Sequence, residues 1–293
     1  MTKKKMATIF RVAPILALIF ALGPWAGQAE EFPPGEAQAV EAAQKAAEAK
    51  PDKIDVTLSV DILNQYVWRA VAYSRSSAVF QPSLTASYKG FAANIWGNFD
   101  TSEKNPFGRV AINRKDPVWN ETDFTFSYSR EVLPNLTLTA GMIYYLYDHN
   151  TSQYDSVEVY GGGGYKLPWF EVGFAAYREV AHLPGWYLQW YVSRSFDLPF
   201  AGASLDLWAS WSAELSQDKA AYPIPGKNEF YHSLHAGNLM ATINFPLGKY
   251  FKFSPKIIYW YALGGNSSSV IGGLSWDGRH NHVLGGATIS AAF

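Results

Sequence analysis

From Ile54 to Phe293 the sequence alternates between apolar and polar residues, and no other feature restricts the possible folds as much. A period of two is the mark of a β-strand with unlike faces. In 54–69, Val56, Leu58, Val60, Ile62, Tyr66 and Trp68 share one face, and Asp55, Thr57, Ser59, Asp61, Gln65 and Arg69 share the other. Residues 90–100 repeat the pattern, with Phe91, Ala93, Ile95, Gly97 and Phe99 against Asn94, Trp96, Asn98 and Asp100. Twelve such segments are expected, at 54–69, 78–89, 90–100, 119–130, 135–147, 154–166, 169–179, 185–196, 201–214, 229–246, 249–262 and 281–293. Alternation lapses across 229–237, which predicts a bulge or a shifted start there.

The connections narrow the architecture. Those after even-numbered segments are short, such as Lys89-Gly90, Leu167-Pro168 and Leu247-Gly248. Those after odd-numbered segments are mostly long, at about 70–77, 101–118, 148–153, 180–184, 215–228 and 263–280. Loop length that segregates by parity, with an even strand count, predicts an all-β fold: a transmembrane antiparallel up-and-down β-barrel of 12 strands with both termini periplasmic.

Aromatic placement agrees. Tyr88, Phe91, Tyr128, Tyr165, Phe170, Phe245, Phe251 and Phe293 fall on the apolar face near the short turns. Trp68, Phe99, Tyr144, Trp186, Trp211 and Tyr261 fall on it near the long loops. Amphipathic rings prefer the headgroup level, so two girdles of them bracket an apolar band. This explains how a chain with 16% aromatic residues has a mean hydropathy of only −0.10. The average conceals one face meant for lipid and another meant for water.

Residues 1–29 read as a secretory signal, with Lys3, Lys4 and Lys5, an apolar stretch from Val12 to Leu22, and Gly27-Gln28-Ala29 as the cleavage site. Its removal takes away Lys3, Lys4, Lys5 and Arg11 and no acid, leaving 20 basic against 25 acidic residues, a net charge of −5. That balance does not suggest nucleic acid. Residues 30–53, rich in Ala, Glu and Lys, read as a periplasmic tail or short helix, and 54–293 as the barrel. With no Cys, disulfide scaffolds, thiolate metal sites and cysteine nucleophiles are excluded. The expected location is the bacterial outer membrane. The expected partners are the bilayer, lipopolysaccharide, small polar solutes and the barrel-assembly machinery, the last through the strand ending in Phe293.

Several short runs resemble the TorF-like porin family of outer-membrane proteins. They are Tyr66-Val67-Trp68-Arg69, Gly90-Phe91 with Trp96-Gly97, Glu121-Thr122-Asp123, Gly141 with Tyr144-Tyr145-Leu146-Tyr147, and Glu158-Val159-Tyr160. The similarity is clearest over 54–165. The family usually continues the arginine with glycine, where Ala70 stands here. The resemblance implies a porin and supplies no substrate.

Twelve strands give a backbone radius of about 12 Å, so inward side chains decide how much lumen stays open. Arg69, Asp100, Glu121, Asp123 and Glu158 lie on the inward face in the loop-side halves of their strands, with Tyr145, Tyr147 and Tyr160 among the inward rings. They define a candidate constriction that is acidic, aromatic-lined and faced by Arg69, favouring small cations or neutral solutes. The alternative is a set of structural ion pairs in a mostly closed barrel, structural or adhesive in role. The inward rings Trp96, Tyr177, Tyr187, Tyr191, Trp208 and Trp260 read either as stacking platforms or as bulk that fills a narrow barrel.

Other chemistry is weaker. The loop residues Lys104, Arg109, Arg114 and Lys115 form a basic patch that could meet lipopolysaccharide. His280 and His282, with Asp277, read either as a metal site or, by default, as solvated loop histidines. Glu229, Ser233 and His235 share parity with outward Leu239 and Ala241, the region where outer-membrane hydrolases place a serine and a histidine. Their order is reversed relative to the His-x-Ser pattern of those lipases. Phosphate-loop, dinucleotide and HExxH motifs are absent. The expectation is therefore a non-enzyme without cofactor or resident metal.

Overall fold

β-branched and aromatic residues at every second position build long strands whose two faces differ. A computed structural model of the chain describes residues 53–103, 117–147 and 155–293. The signal segment, the tail up to residue 52 and the basic loop residues Lys104, Arg109, Arg114 and Lys115 lie outside them. In chain order the strands are β1 (Asp55–Leu63), β2 (Val67–Trp68), β3 (Val71–Ala72), β4 (Val79–Tyr88), β5 (Phe91–Asp100), β6 (Val118–Leu133) and β7 (Leu136–Tyr147). They continue as β8 (Ser156–Lys166), β9 (Glu171–Glu179), β10 (Gly185–Asp197), β11 (Ser204–Ser216), β12 (His232–Leu247), β13 (Phe251–Ala262) and β14 (Asn281–Ala292). Between β13 and β14 lies one helix, α1 (Gly265–Leu274).

All strands except β2 and β3 form a single closed barrel of twelve antiparallel neighbours. Closure comes from β1, which pairs with β14 on one side, Leu58 opposite Ala291, and with β4 on the other, Leu58 opposite Leu84. A closed sheet leaves no unpaired edge, the condition for strands to cross hydrocarbon.

The faces divide as alternation requires, with the usual order of a soluble protein reversed. Leu58 and Ile95 point outward with 47% of their surface exposed, whereas Asp61 is 1% exposed inside the barrel. A ring of exposed Leu, Ile, Phe and Val outside and a polar interior suit lipid outside. Tyr88, Phe91, Tyr128, Tyr165, Phe251 and Phe293 are exposed near the short turns, and Tyr144 and Trp186 near the long loops. Gly97 gives Trp119 its seat on the outer face, since a Cβ there would stand 2.1 Å from the indole Cζ2.

Inside, short polar side chains bridge adjacent strands in ladders. Ser195 donates to Asp206, Asn244 donates to Asp206 as well, and Ser254 donates to Asn244 at 2.8 Å, joining β10 to β13. Across β4 to β6, Gln81 donates to Asn98 at 3.0 Å and Asn98 to Asn120 at 2.7 Å. The Lys256 ammonium lies 3.2 Å from the Asp61 carboxylate, with both side chains buried. Trp96 and Trp260, each 1% exposed, are buried in the same interior.

Two expectations change. The segment expected as one strand over 54–69 leaves the barrel wall after Leu63. The chain then folds inward as a hairpin of β2 and β3, so Tyr66 and Trp68 point into the lumen and not to lipid. Alternation alone cannot report this, because the hairpin is also extended and its residues keep the same period. The anticipated irregularity in β12 is a bulge. Trp211 pairs with Gly237 and Ala213 with Leu234, so Ser212 faces both His235 and Ala236. The Ser212 hydroxyl accepts the Ala236 N–H at 3.1 Å and donates to the Ala236 carbonyl at 3.0 Å, satisfying the bulge locally.

Candidate functional site

Three connections on the long-loop side fold in over the lumen. The first is the hairpin, closed by the Tyr73 N–H to the Tyr66 carbonyl (2.9 Å) and by the Ser74 hydroxyl, which accepts the Tyr66 N–H at 2.7 Å. Its turn has two residues, Arg69 (φ 48°) and Ala70 (φ 68°), both in the left-handed region. That is the pattern of a type I′ turn, normally supplied by Asn or Gly.

The second is α1 with the residues that follow it. Val270 and Ile271 are buried, and the Ser275 hydroxyl accepts the Ala72 N–H at 3.1 Å. The Trp276 N–H donates to the Ala72 carbonyl at 2.8 Å. Asp277 accepts from the Gln65 amide at 2.9 Å and lies 3.2 Å from His282 Nε2. Burial alone would raise the Asp277 carboxyl, but the Gln65 amide, the Arg279 N–H and His282 outweigh it and hold the group below its ordinary value of 3.8. The third connection brings Tyr222 and Ile224 against Tyr231, Val270 and Leu274. Burial there pushes the Tyr222 phenol well above its ordinary range, the Glu214 carboxylate adding to the effect.

Beneath these segments is a cavity of about 300 Å³. Its walls carry Glu103, Glu121, Glu158, Glu179 and Glu214, with Tyr66, Tyr145, Tyr147, Tyr187 and Tyr222 among the rings. Arg69 enters from the hairpin tip and is 4% exposed. Its guanidinium donates from Nη1 to Glu158 Oε1 and from Nη2 to Oε2, both at 2.8 Å. The Tyr145 hydroxyl donates to the same Oε2 at 2.9 Å. The guanidinium carbon stands 3.9 Å from the Tyr187 ring centre, 4.2 Å from Trp68 and 5.1 Å from Tyr177. Such a buried, two-pronged, charge-assisted pair is strong and directional, and ring faces favour the cation further.

Of the eight residues expected at a constriction, Arg69, Glu121, Tyr145, Tyr147 and Glu158 line this cavity. Asp100, Asp123 and Tyr160 are buried inside the barrel outside its lining. Asp100 accepts the Ser102 N–H at 2.8 Å, and Tyr160 stacks on Tyr177 at 5.2 Å between ring centres. Sequence reasoning placed Arg69 on a barrel strand, and the structure places it on the hairpin tip. It did not select Tyr222 or Trp276, because both sit on loops that alternation does not describe.

His235 was also misplaced. The β12 bulge turns it into the lumen, where it is buried between Tyr231, whose hydroxyl is 3.0 Å from Nδ1, and the Arg69 carbonyl, 3.0 Å from Nε2. A nitrogen facing a carbonyl must carry the proton, so Nδ1 accepts from Tyr231. The imidazole thus holds the tip of the hairpin, and no lipid-facing Ser233–His235 pair forms. His280 is exposed whereas His282 is buried against Asp277, so the two do not share surroundings. Among the described residues no group of three metal-ligating side chains forms.

Fold and outer surface define a twelve-stranded β-barrel of the bacterial outer membrane. The COG4313 outer-membrane channel from Pseudomonas putida F1 is similar over 90% of this chain and 100% of its own, at 10% identity and a TM-score of 0.54. A NanC porin shares 11% identity over 80% of this chain and 98% of its own, with a TM-score of 0.48. A KdgM porin shares 9% over 82% and 98%, with a TM-score of 0.44. At such identities the likeness is one of fold. No protein-family model and no curated protein sequence matches the chain.

Proposed function

We propose that the barrel is a channel for small polar solutes, that the acidic cavity is its loop-side constriction, and that it favours cations and neutral solutes. The carrying observation is charge. Five glutamates line the cavity, while the basic side chains among its described lining residues are Arg69 and His235, and Arg69 is committed to Glu158. A confined acidic wall of low polarizability raises the local concentration of cations and repels anions. In this reading Asp123 and Tyr160 continue the path below the cavity, Asp100 lies at its loop-side rim, and the inserted hairpin is its closed state. The chain is then a porin of the TorF-like kind, exported by residues 1–29, its long loops facing outward and both termini in the periplasm. Phe293 engages the assembly machinery, and the outer loops meet lipopolysaccharide.

Planar-bilayer recording of the purified protein tests this. Under a salt gradient at alkaline pH, where the buried carboxyls are ionised, the reversal potential is expected to be cation-selective, and to move toward zero in a Glu121→Gln/Glu214→Gln variant. Anion selectivity overturns the reading, as does a lack of conductance both in the wild type and after deletion of residues 66–73. The depth at which Trp96, Trp260 and Tyr177 are buried favours a second reading, a closed structural or adhesive barrel, and the same recording separates the two.

A further inference from the structure

The contacts of Arg69 come from two sources. Trp68 belongs to the hairpin and would leave with it. Glu158 on β8, Tyr145 on β7, Tyr177 on β9 and Tyr187 on β10 belong to the barrel wall. The wall's share is by itself a complete receptor for a planar cation. It has a carboxylate presented edge-on to two N–H groups, a tyrosine hydroxyl orienting that carboxylate, and two ring faces at 3.9 and 5.1 Å from the guanidinium carbon. This arrangement suits a guanidinium over an ammonium, which is not flat and cannot make the parallel pair.

An ion pair that merely braced the barrel would join two strands of the wall. This one joins the wall to an inserted turn whose two central residues, neither of them glycine, both have positive φ. The anchored group is thus the tip of a strained loop, and the cavity of about 300 Å³ opens directly onto the same carboxylate.

We propose that Glu158, Tyr145, Tyr177 and Tyr187 form a guanidinium-binding site that the chain's own Arg69 occupies in this structure, and that solutes carrying an alkylguanidinium group displace Arg69 and release the hairpin. The release half rests on the channel reading above, whereas the binding half does not. A tethered occupant of this kind competes at an effective concentration on the order of millimolar, so a free solute must be present at a similar level to replace it.

The arginine side chain as a free molecule, propylguanidinium, is the probe, with propylammonium and uncharged propylurea as comparisons. Binding is measured by calorimetry on the full chain in detergent, for the wild type, Arg69→Ala and Arg69→Gly. The glycine variant tolerates the positive φ, so a disturbed turn in the alanine variant does not decide the result. Both variants are expected to bind propylguanidinium at least tenfold more tightly than the wild type, and more tightly than either comparison compound. Adding Glu158→Gln to Arg69→Gly is expected to cost at least tenfold. Equal affinity in the wild type and both variants, preference for propylammonium, or indifference to Glu158→Gln overturns the site.

Conductance separates the two readings. The probe is expected to increase the open fraction of wild-type channels, and binding to wild type that leaves an otherwise conducting channel unchanged overturns the release half. If Arg69→Gly binds the probe but neither it nor the wild type conducts, the channel reading fails and the binding site stands. If Arg69→Gly conducts but binds nothing, the site fails and the channel reading stands.

Discussion

Arg69 and Ala70 illustrate how much of the closed state depends on single residues. A non-glycine residue in the left-handed region costs roughly 1 kcal/mol or more, and two in succession persist only where surrounding contacts outweigh them. Here the outweighing contacts are the pair with Glu158 and the His235 N–H to the Arg69 carbonyl. Replacing Ala70 with glycine removes part of the strain without touching those contacts. Ala70→Gly is therefore expected to stabilise the inserted hairpin by about 1 kcal/mol, seen as a several-fold lower open fraction in bilayer recordings.

Asp277 is the second residue of this kind. Its carboxyl is held below its ordinary value of 3.8 in the folded loop, so it contributes stability that is fully present above that value and lost as pH falls through the lower, folded one. Acidification below about pH 4 is expected to loosen the contact between α1 and the hairpin. Trp276 emission, followed during acid titration of the wild type and of Asp277→Asn, checks this, since the asparagine variant should lack the step.

At the scale of elements, the hairpin is an inserted plug held by a neighbouring loop, and only part of that was legible. The twelve wall strands each matched an alternating run to within a few residues, apart from the first, which ends at Leu63. Residues 64–78 were not legible because period 2 identifies extended chain without saying where it goes. The placement of His235 was lost for a related reason. One extra residue in β12 reverses parity, and parity was the basis for assigning faces. The placement of α1 was equally hidden, since its serine- and glycine-rich sequence has little amphipathic pattern and is ordered by contact with β3, β12 and β13.

The contact between the hairpin and the loop after α1 can be locked on purpose. Ser275 Oγ stands 3.1 Å from the Ala72 amide nitrogen, and the chain has no cysteine to compete. An Ala72→Cys/Ser275→Cys variant is expected to cross-link on oxidation, abolish openings, and recover them when reduced. Openings that persist in fully cross-linked protein would show that the hairpin does not gate the lumen.

For the whole molecule, the solvent outside decides which face is apolar. Ile95 is at mid-strand in β5, pairs with Leu84 and Phe124, and has 47% of its surface exposed. In water that position would tolerate arginine. In a bilayer, Ile95→Arg is expected to destabilise the barrel by about 2–4 kcal/mol, measurable as a shift in the urea midpoint for folding into lipid vesicles. A shift near zero would mean this face does not meet hydrocarbon.

Alternation, loop parity and aromatic girdles determined the barrel, its twelve strands and the sense of its two faces, because each is set locally by the period of a strand and by the solvent on either side. The acidic, aromatic character of the lumen was legible for the same reason. Only the tertiary structure decided that the first long connection turns inward, that its tip carries Arg69 to Glu158, and that His235 and Asp277 hold it there. Those contacts join residues far apart in sequence, 89 positions for Arg69 and Glu158 and 166 for Arg69 and His235, and no local periodicity records them.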